Sequence, residues 1–242
     1  MSGHSHAKTV KRVKEANAQK RNQIFSKIAR VISVAAKDGG PNPESNAKLR
    51  AAIETAKSFN MPKDNIERAI KSGSGELAGE KLEEITLEAL GPEGIALIVE
   101  GISDNKNRAL SEVKQILNQN GAKLVAEGAV KWMFEKKGAI TINFPTPNFQ
   151  TKEQLELAAI EAGAGDVRWR DNTLELYTNI EDLEKVKITL KEKGVEIESS
   201  SIDWVPKEEM EVSEKTKESC QALFNSLDEN DAVQDIYSNL KI

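Results

Sequence analysis

The first third of the chain carries a hydrophobic repeat of three to four residues, which is typical of amphipathic helices. Three segments show this repeat: 19–39, 45–59 and 62–73. The first ends at a Gly-Gly-Pro sequence, and the third begins at a proline, which suits a first helical position. Each segment has one apolar face and one charged face, so the sequence predicts a small bundle of three helices.

Beyond a Gly- and Ser-rich linker at 72–79, the repeat shortens to two residues, which is typical of β-strands. Residues 85–89 alternate between apolar and polar, and the apolar run 95–99 predicts a buried strand. An amphipathic helix that ends at Gly121 follows, and the apolar residues at 129–134 predict a third strand. This middle piece has the order β-β-α-β. Compared with a complete small α/β domain, it lacks a second helix and a fourth strand.

Residues 138–204 contain a complete small α/β pattern. It consists of four predicted strands, at 138–144, 166–170, 173–178 and 195–205, and two predicted helices, at 151–163 and 180–194. Their order, β-α-β-β-α-β, is that of the split βαβ or ferredoxin-like unit.

The residues after Pro206 predict an amphipathic helix and a strand at 232–237, the elements that the middle piece lacks. We therefore expect an inserted domain within a discontinuous one. The predicted domains are residues 1–75, residues 80–135 together with 206–242, and residues 138–204. The predicted fold class is α+β, with an N-terminal three-helix bundle bearing a basic arm and two ferredoxin-like α/β domains, one inserted in the other.

Charge is distributed unevenly between these predicted domains. Residues 1–75 contain 15 lysine and arginine residues against six acidic residues, a formal charge of +9, whereas the rest of the chain carries −14. The first 18 or so residues have almost no large apolar side chains, so we expect them to form a flexible arm. A basic module on an acidic body is suited to binding a polyanion, because lysine and arginine neutralise phosphates and release condensed counterions.

Residues suited to catalysis or metal binding are scarce. Both histidines, His4 and His6, lie in the arm, and the single cysteine, Cys220, falls on the apolar face of a predicted helix. The sequence has no phosphate-binding glycine loop, no Cys-based zinc site, and no apolar run near the roughly 20 residues that span a bilayer. We expect a non-enzymatic cytoplasmic protein with no catalytic residue, cofactor, metal site, membrane contact or small-molecule substrate.

The candidate binding residues are therefore lysines and arginines. On the first predicted helix, Lys27, Arg30 and Lys37 fall opposite the apolar face. In the arm, either an induced helix would place most of the basic side chains along one side, or an extended arm could follow phosphates; these residues are Lys8, Lys11, Arg12 and Lys14. The arm contains no aromatic residue, so we expect it to contact phosphates and not to stack on bases.

Several longer motifs resemble those of one known family, the YebC/PmpR family. They are GHS (3–5), KRNQIFSKI (20–28), AAKDGGPNPESNAKLRAAI (35–53), NMPKDNIERAIK (60–71), LGPEGIALIVE (90–100), DNKNR (104–108) and KWMFEKKG (131–138). The resemblance implies a three-domain protein. Members are described as DNA-binding transcriptional regulators, mitochondrial relatives as translational activators, and bacterial relatives are linked to ribosomes stalled on proline-rich stretches.

The same resemblance implies which positions touch nucleic acid. They are His4, Lys8, Lys11, Arg12, Lys14, Lys20, Arg21, Lys27, Lys106 and Arg108, to which the helical pattern adds Arg30. The arm departs from the family pattern at His6 and Ala7, where a lysine and a tryptophan are usual. Any stacking by that tryptophan is absent from this chain.

Two functions fit these observations: a DNA-binding transcriptional regulator, and a ribosome-associated translation factor that binds ribosomal RNA through its arm. The sequence shows no recognition helix with base-reading side chains clearly off the core, and a basic arm that folds on contact suits structured RNA. A protein–protein adaptor built on the ferredoxin-like sheets is a third hypothesis. The residues alone leave DNA and RNA both open.

Overall fold

The computed structural model describes residues 18–77 and 81–241, with side chains from Arg21 onward. Residues 1–17, which contain nearly all of the predicted arm, and residues 78–80 of the linker lie outside this part. The first three helices are α1 (Ala18–Gly39), α2 (Ala47–Ser58) and α3 (Lys63–Gly73). Ile32, Leu49 and Ala56 are fully buried between them. The bundle predicted from the helical repeat is confirmed.

Asn46 fixes the connection between α1 and α2. Its side-chain oxygen accepts a hydrogen bond from the backbone N–H of Leu49 (3.0 Å), which caps α2. Its amide nitrogen donates to the carbonyls of Ala35 (2.7 Å) and Gly40 (2.9 Å) at the end of α1. Gly40 has a φ of 84°, a conformation that favours glycine and turns the chain toward α2. One buried amide therefore satisfies both helix ends.

Residues 81–241 form eight strands and four further helices. In chain order these are β1 (Glu83–Leu90), β2 (Ala96–Ser103), α4 (Lys106–Gln119), β3 (Lys123–Leu124), β4 (Phe134–Asn143), α5 (Lys152–Ala162), β5 (Asp166–Arg170), β6 (Thr173–Thr178), α6 (Leu183–Glu192), β7 (Ser199–Pro206), α7 (Glu214–Asp228) and β8 (Val233–Ser238).

The first sheet has the strand order β3-β1-β2-β8, with every neighbouring pair antiparallel. Helices α4 and α7 cover one of its faces, where Val113 and Leu117 pack with Leu223 and Leu227. Strand β8 and helix α7 come from the end of the chain. They complete a sheet that β1 begins about 150 residues earlier.

The second sheet has the strand order β5-β6-β4-β7, again with antiparallel neighbours. Helices α5 and α6 cover it, and Leu155 and Leu190 pack there on Leu174 and Leu176. This strand order is that of the split βαβ unit, so the predicted α+β class with one ferredoxin-like unit inserted is confirmed. The helix-free faces of the two sheets meet through Tyr237 on one side and Phe134 and Trp204 on the other.

One predicted strand, 129–134, is wrong. Residues Lys131–Met133 form a short 3-10 helix, and β4 starts directly after it at Phe134. The reason lies in a distant residue: the carboxylate of Glu88 on β1 accepts hydrogen bonds from the backbone N–H groups of Gly128, Val130 and Lys131, which are therefore not available for a strand ladder. The third strand of the first sheet is instead β3, whose two residues are too few for a recognisable alternation.

Candidate nucleic-acid interface

The predicted binding residues fall into three groups by their place in the structure. His4, Lys8, Lys11, Arg12 and Lys14 lie outside the described residues. Lys20 belongs to the first turns of α1, ahead of the first described side chain. Arg21, Lys27, Arg30, Lys106 and Arg108 have described side chains, and the structure does not bring them all to one surface.

Arg21 lies on the exposed side of α1, close to where the arm enters the bundle. Its guanidinium carbon stands 5.7 Å from the centroid of the Phe25 ring. This contact orients the side chain and leaves its charge open to solvent. Arg21 is therefore an exposed cation near the start of α1.

Lys27 and Arg30, which the helical pattern placed opposite the apolar face of the first helix, face the body of the protein. Lys27 is 7% exposed, and its ammonium donates to the carbonyl oxygen of Asp228 (2.7 Å) and pairs with the Asp228 carboxylate (3.3 Å). The Arg30 guanidinium donates to the carbonyl of Asp231. The face of α1 opposite the bundle core is covered by the loop between α7 and β8, a contact that helical periodicity does not reveal.

Lys106 and Arg108 lie in the first turn of α4, which is capped by the Asn105 side chain through the backbone N–H of Arg108 (3.1 Å). Lys106 pairs with Glu83 (3.2 Å) and holds the pKa of that carboxyl below its usual value. Arg108 pairs with Asp104 and stands 3.9 Å from Glu112. Both basic groups are thus matched by carboxylates.

Arg30 and Arg108 come together at a polar cleft of about 250 Å³ between α1 and the start of α4. The cleft is also lined by three carboxylates, those of Asp104, Glu112 and Asp231. These acids outnumber the two arginines, so the cleft alone does not attract a polyanion.

On the second and third helices of the bundle, four further basic residues are exposed and form neither an ion pair nor a side-chain hydrogen bond within the described ranges: Lys48, Lys57, Arg68 and Lys71. They lie on α2 and α3. The resemblance to known motifs did not point to them. In the sequence these residues lie opposite the apolar faces of those helices, a position that predicts their exposure but does not predict a function.

The described part of the chain offers little for catalysis. Cys220 is fully buried on α7, and burial raises the pKa of its thiol, which makes it a poor nucleophile. Across residues 18–77 and 81–241, no cluster of three His, Cys, Asp or Glu side chains could hold a metal ion. Within the same ranges, no helix has the length and apolar character needed to cross a membrane.

The chain matches known proteins over nearly its whole length. Residues 5–76 match the N-terminal domain of TACO1/YebC proteins, and residues 82–240 match their second and third domain. A probable transcriptional regulatory protein of Dehalococcoides mccartyi is 46% identical over 239 residues, covering 99% of this chain and 94% of that protein. One from Halothermothrix orenii is 43% identical over 243 residues, covering 100% and 96%.

A solved structure is similar as well. The crystal structure of a conserved hypothetical protein from Aquifex aeolicus superposes with a TM-score of 0.84 and 42% identity, covering 93% of this chain and 91% of that one. Fold and charge together define a three-domain α+β protein with a basic helical domain on an acidic body. The chain belongs to the TACO1/YebC family. Curated relatives in this family carry the name probable transcriptional regulatory protein.

Proposed function

We propose that this protein is a nucleic-acid-binding regulator of gene expression, of the DNA-binding transcriptional type, and that its N-terminal domain makes the contacts. The observation that carries the proposal is the charge distribution, with +9 in residues 1–75 against −14 in the rest of the chain. A cationic domain on an anionic body directs a polyanion to one end of the molecule. The names of the curated relatives support the same function.

The exposure and pairing of the described side chains support a narrower contact surface within that domain. We place the main contacts on the arm (His4, Lys8, Lys11, Arg12, Lys14), on Lys20 and Arg21 at the start of α1, and on the exposed bundle residues Lys57, Arg68 and Lys71. Lys27 and Arg30 are engaged with the body, and Lys106 and Arg108 are paired with acids, so these four contribute less.

A translation factor bound to the ribosome is the alternative. The exposed basic side chains of the described bundle lie on three helices, at Arg21, Lys57 and Arg68, and do not line one helix that could enter a major groove. Such a surface contacts phosphates without reading bases, which also suits structured ribosomal RNA. A sucrose gradient of cell lysate separates the two functions: salt-sensitive co-migration with ribosomes supports the alternative, and protein that remains at the top supports DNA binding.

The basic arm is tested by replacing Lys8, Lys11, Arg12 and Lys14 with alanine. We expect weaker binding to every sequence of a duplex DNA of about 30 base pairs, and a salt dependence whose slope falls by about 3 to 4, since each neutralised phosphate contributes about 0.9. Fluorescence anisotropy across a range of salt concentrations measures both quantities.

A matched control removes four charges from exposed lysines of the other two domains, by alanine substitution at Lys114, Lys185, Lys191 and Lys215. Affinity and slope should then stay close to those of the unchanged protein. If the arm variant and this control variant behave alike, net charge alone governs binding and the assignment to the arm is wrong.

A further inference from the structure

Trp132 is 67% exposed, more than any other large apolar side chain in the described part of the chain. It lies in the 3-10 helix Lys131–Met133, ahead of β4. The indole N–H of Trp132 donates to the carbonyl of Ala129 (3.0 Å). The ammonium of Lys207 donates to the backbone carbonyl of Trp132 (2.8 Å). The ring is thus held in one position while most of its surface faces water.

The turn that carries Trp132 is braced by a buried carboxylate. Glu88 is 4% exposed and accepts hydrogen bonds from the backbone N–H groups of Gly128 (2.6 Å), Val130 (2.7 Å) and Lys131 (2.9 Å). Burial favours a neutral Glu88, but these three bonds outweigh it and hold its pKa below the usual value. Val130 is also buried between the sheets. The fold therefore presents this ring on a rigid support, which lowers the cost of binding.

Two basic residues adjoin Trp132: Lys131 precedes it in the chain, and Lys207 is bonded to its carbonyl. The ammonium groups of Lys131 and Lys136 stand 5.3 and 4.8 Å from the centroid of the Trp204 ring. Lys136 pairs with Glu100 (3.2 Å). Lys131 and Lys207 form no ion pair with any carboxylate of residues 18–77 and 81–241. Two lysines that no carboxylate neutralises therefore lie near Trp132, one with its ammonium over the Trp204 ring and one bonded to the Trp132 carbonyl.

An exposed aromatic face with two lysines nearby that no carboxylate neutralises suits the stacking of a nucleic-acid base, whose phosphates the ammonium groups attract. Base pairs inside a duplex do not expose their faces, so the base must be unpaired. We propose that Trp132, Lys131 and Lys207 form a binding site for single-stranded nucleic acid on the body of the protein, remote in sequence from the basic arm. This inference rests on the proposed nucleic-acid function and adds a second site to it.

The test compares two probes, a single-stranded oligouridine of about 12 nucleotides and a duplex DNA of about 20 base pairs. We expect oligouridine to quench tryptophan emission of the full-length protein, and Trp132→Ala to remove that quenching. We also expect Trp132→Ala to weaken oligouridine binding by about 5- to 100-fold, the range that loss of one stacked base produces, and to leave duplex affinity within about twofold. Trp132→Phe keeps an aromatic face and should restore most of the affinity.

The matched control is Ile188→Ala, which removes another exposed apolar side chain, 55% exposed on α6, and should change neither affinity. Unchanged oligouridine binding by Trp132→Ala would overturn this inference. The arm variant then shows separately whether the proposed function stands. If the intact protein binds neither probe, the proposed function and this inference both fail.

Discussion

Asp203 lies on β7, where the helix-free faces of the two sheets meet, and it is 6% exposed. Its Oδ1 atom has no hydrogen-bond partner within the described part of the chain, and it lines a cavity of about 50 Å³ together with Tyr177 and Ser238. Burial raises the pKa of Asp203 to about 7. The carboxylates of Asp235 and other nearby acids add to this rise, and a hydrogen bond with Ser201 opposes it.

A substitution at Asp203 should make stability less dependent on pH. The ordinary pKa of the group is 3.8, so between about pH 4 and 7 the folded protein holds a proton that the unfolded chain releases. The folded state therefore loses stability as pH rises through this window, and the loss is complete above it. We expect Asp203→Asn to match the wild type near pH 4 and to exceed its free energy of unfolding by about 1–4 kcal/mol near pH 8. Denaturant titrations at both pH values measure the difference.

The control for this prediction is Asp38→Asn, at an exposed position on α1. It should change the free energy of unfolding by a similar small amount at both pH values. If Asp203→Asn changes the free energy of unfolding equally at both pH values, the Asp203 carboxyl does not change its protonation state between them, and the prediction is wrong.

Among the elements, β2 and β8 are joined at a position that only glycine fits. The register shifts between Glu100 and Gly101, and the N–H of Ile102 donates to the carbonyl of Ala232 (2.8 Å). A Cβ atom at Gly101 would lie 2.5 Å from that carbonyl oxygen and 3.1 Å from the side chain of Ile85. The two strands could not then keep their present separation.

We therefore expect Gly101→Ala to lower the free energy of unfolding by about 2–4 kcal/mol, because backbone atoms must move to admit the methyl group. The matched control is Gly91→Ala, in the turn directly after β1 of the same domain. Gly91 has an extended conformation (φ −83°, ψ −170°), and its added Cβ would meet nothing closer than 3.5 Å. That variant should be neutral or up to about 1 kcal/mol more stable, since alanine restricts the unfolded chain. Equal effects of both substitutions in urea titrations would contradict this explanation.

The elements that the sequence predicted well are those whose pattern is local. The helical repeat and the Gly-Gly-Pro stop placed α1 correctly, because both signals lie within one segment. The false strand at 129–134 failed because Glu88, about 40 residues earlier, supplies the hydrogen bonds of that segment. For the candidate site, composition located the basic domain, but only the structure showed that Lys27 is buried against the body and that Trp132 is exposed.

At the scale of the whole molecule, the N-terminal bundle is held to the body by polar contacts of one helix. Besides the contacts of Lys27, the side-chain amide of Gln23 donates to the carbonyl of Glu229 (2.7 Å), and the ammonium of Lys37 donates to the carbonyl of Leu82 (2.9 Å). The apolar part of the contact is small, with Val34 packed on Leu82 and Ile102. Removing a single buried charge should therefore weaken docking and leave the bundle core intact.

Lys27→Met keeps the aliphatic chain of Lys27 and removes its ammonium. It should weaken docking by about 1–3 kcal/mol, because polar atoms of Asp228 lose a charged hydrogen-bond donor. Hydrogen exchange in residues 228–231 and at the linker should then be faster. The control is Lys57→Met at an exposed site, where exchange in the loop should not change.

The same variant separates a docking role for Lys27 from a phosphate contact. If Lys27 neutralised a phosphate, its loss would reduce the salt slope of nucleic-acid binding by about 0.9. Because the ammonium is already bound to Asp228, we expect the slope of Lys27→Met to stay within about 0.3 of the wild-type value while loop exchange accelerates. A salt slope reduced by about 0.9 with unchanged hydrogen exchange in the loop would show that Lys27 contacts a phosphate. It would also mean that the bundle leaves its docked position on the body when the protein binds nucleic acid.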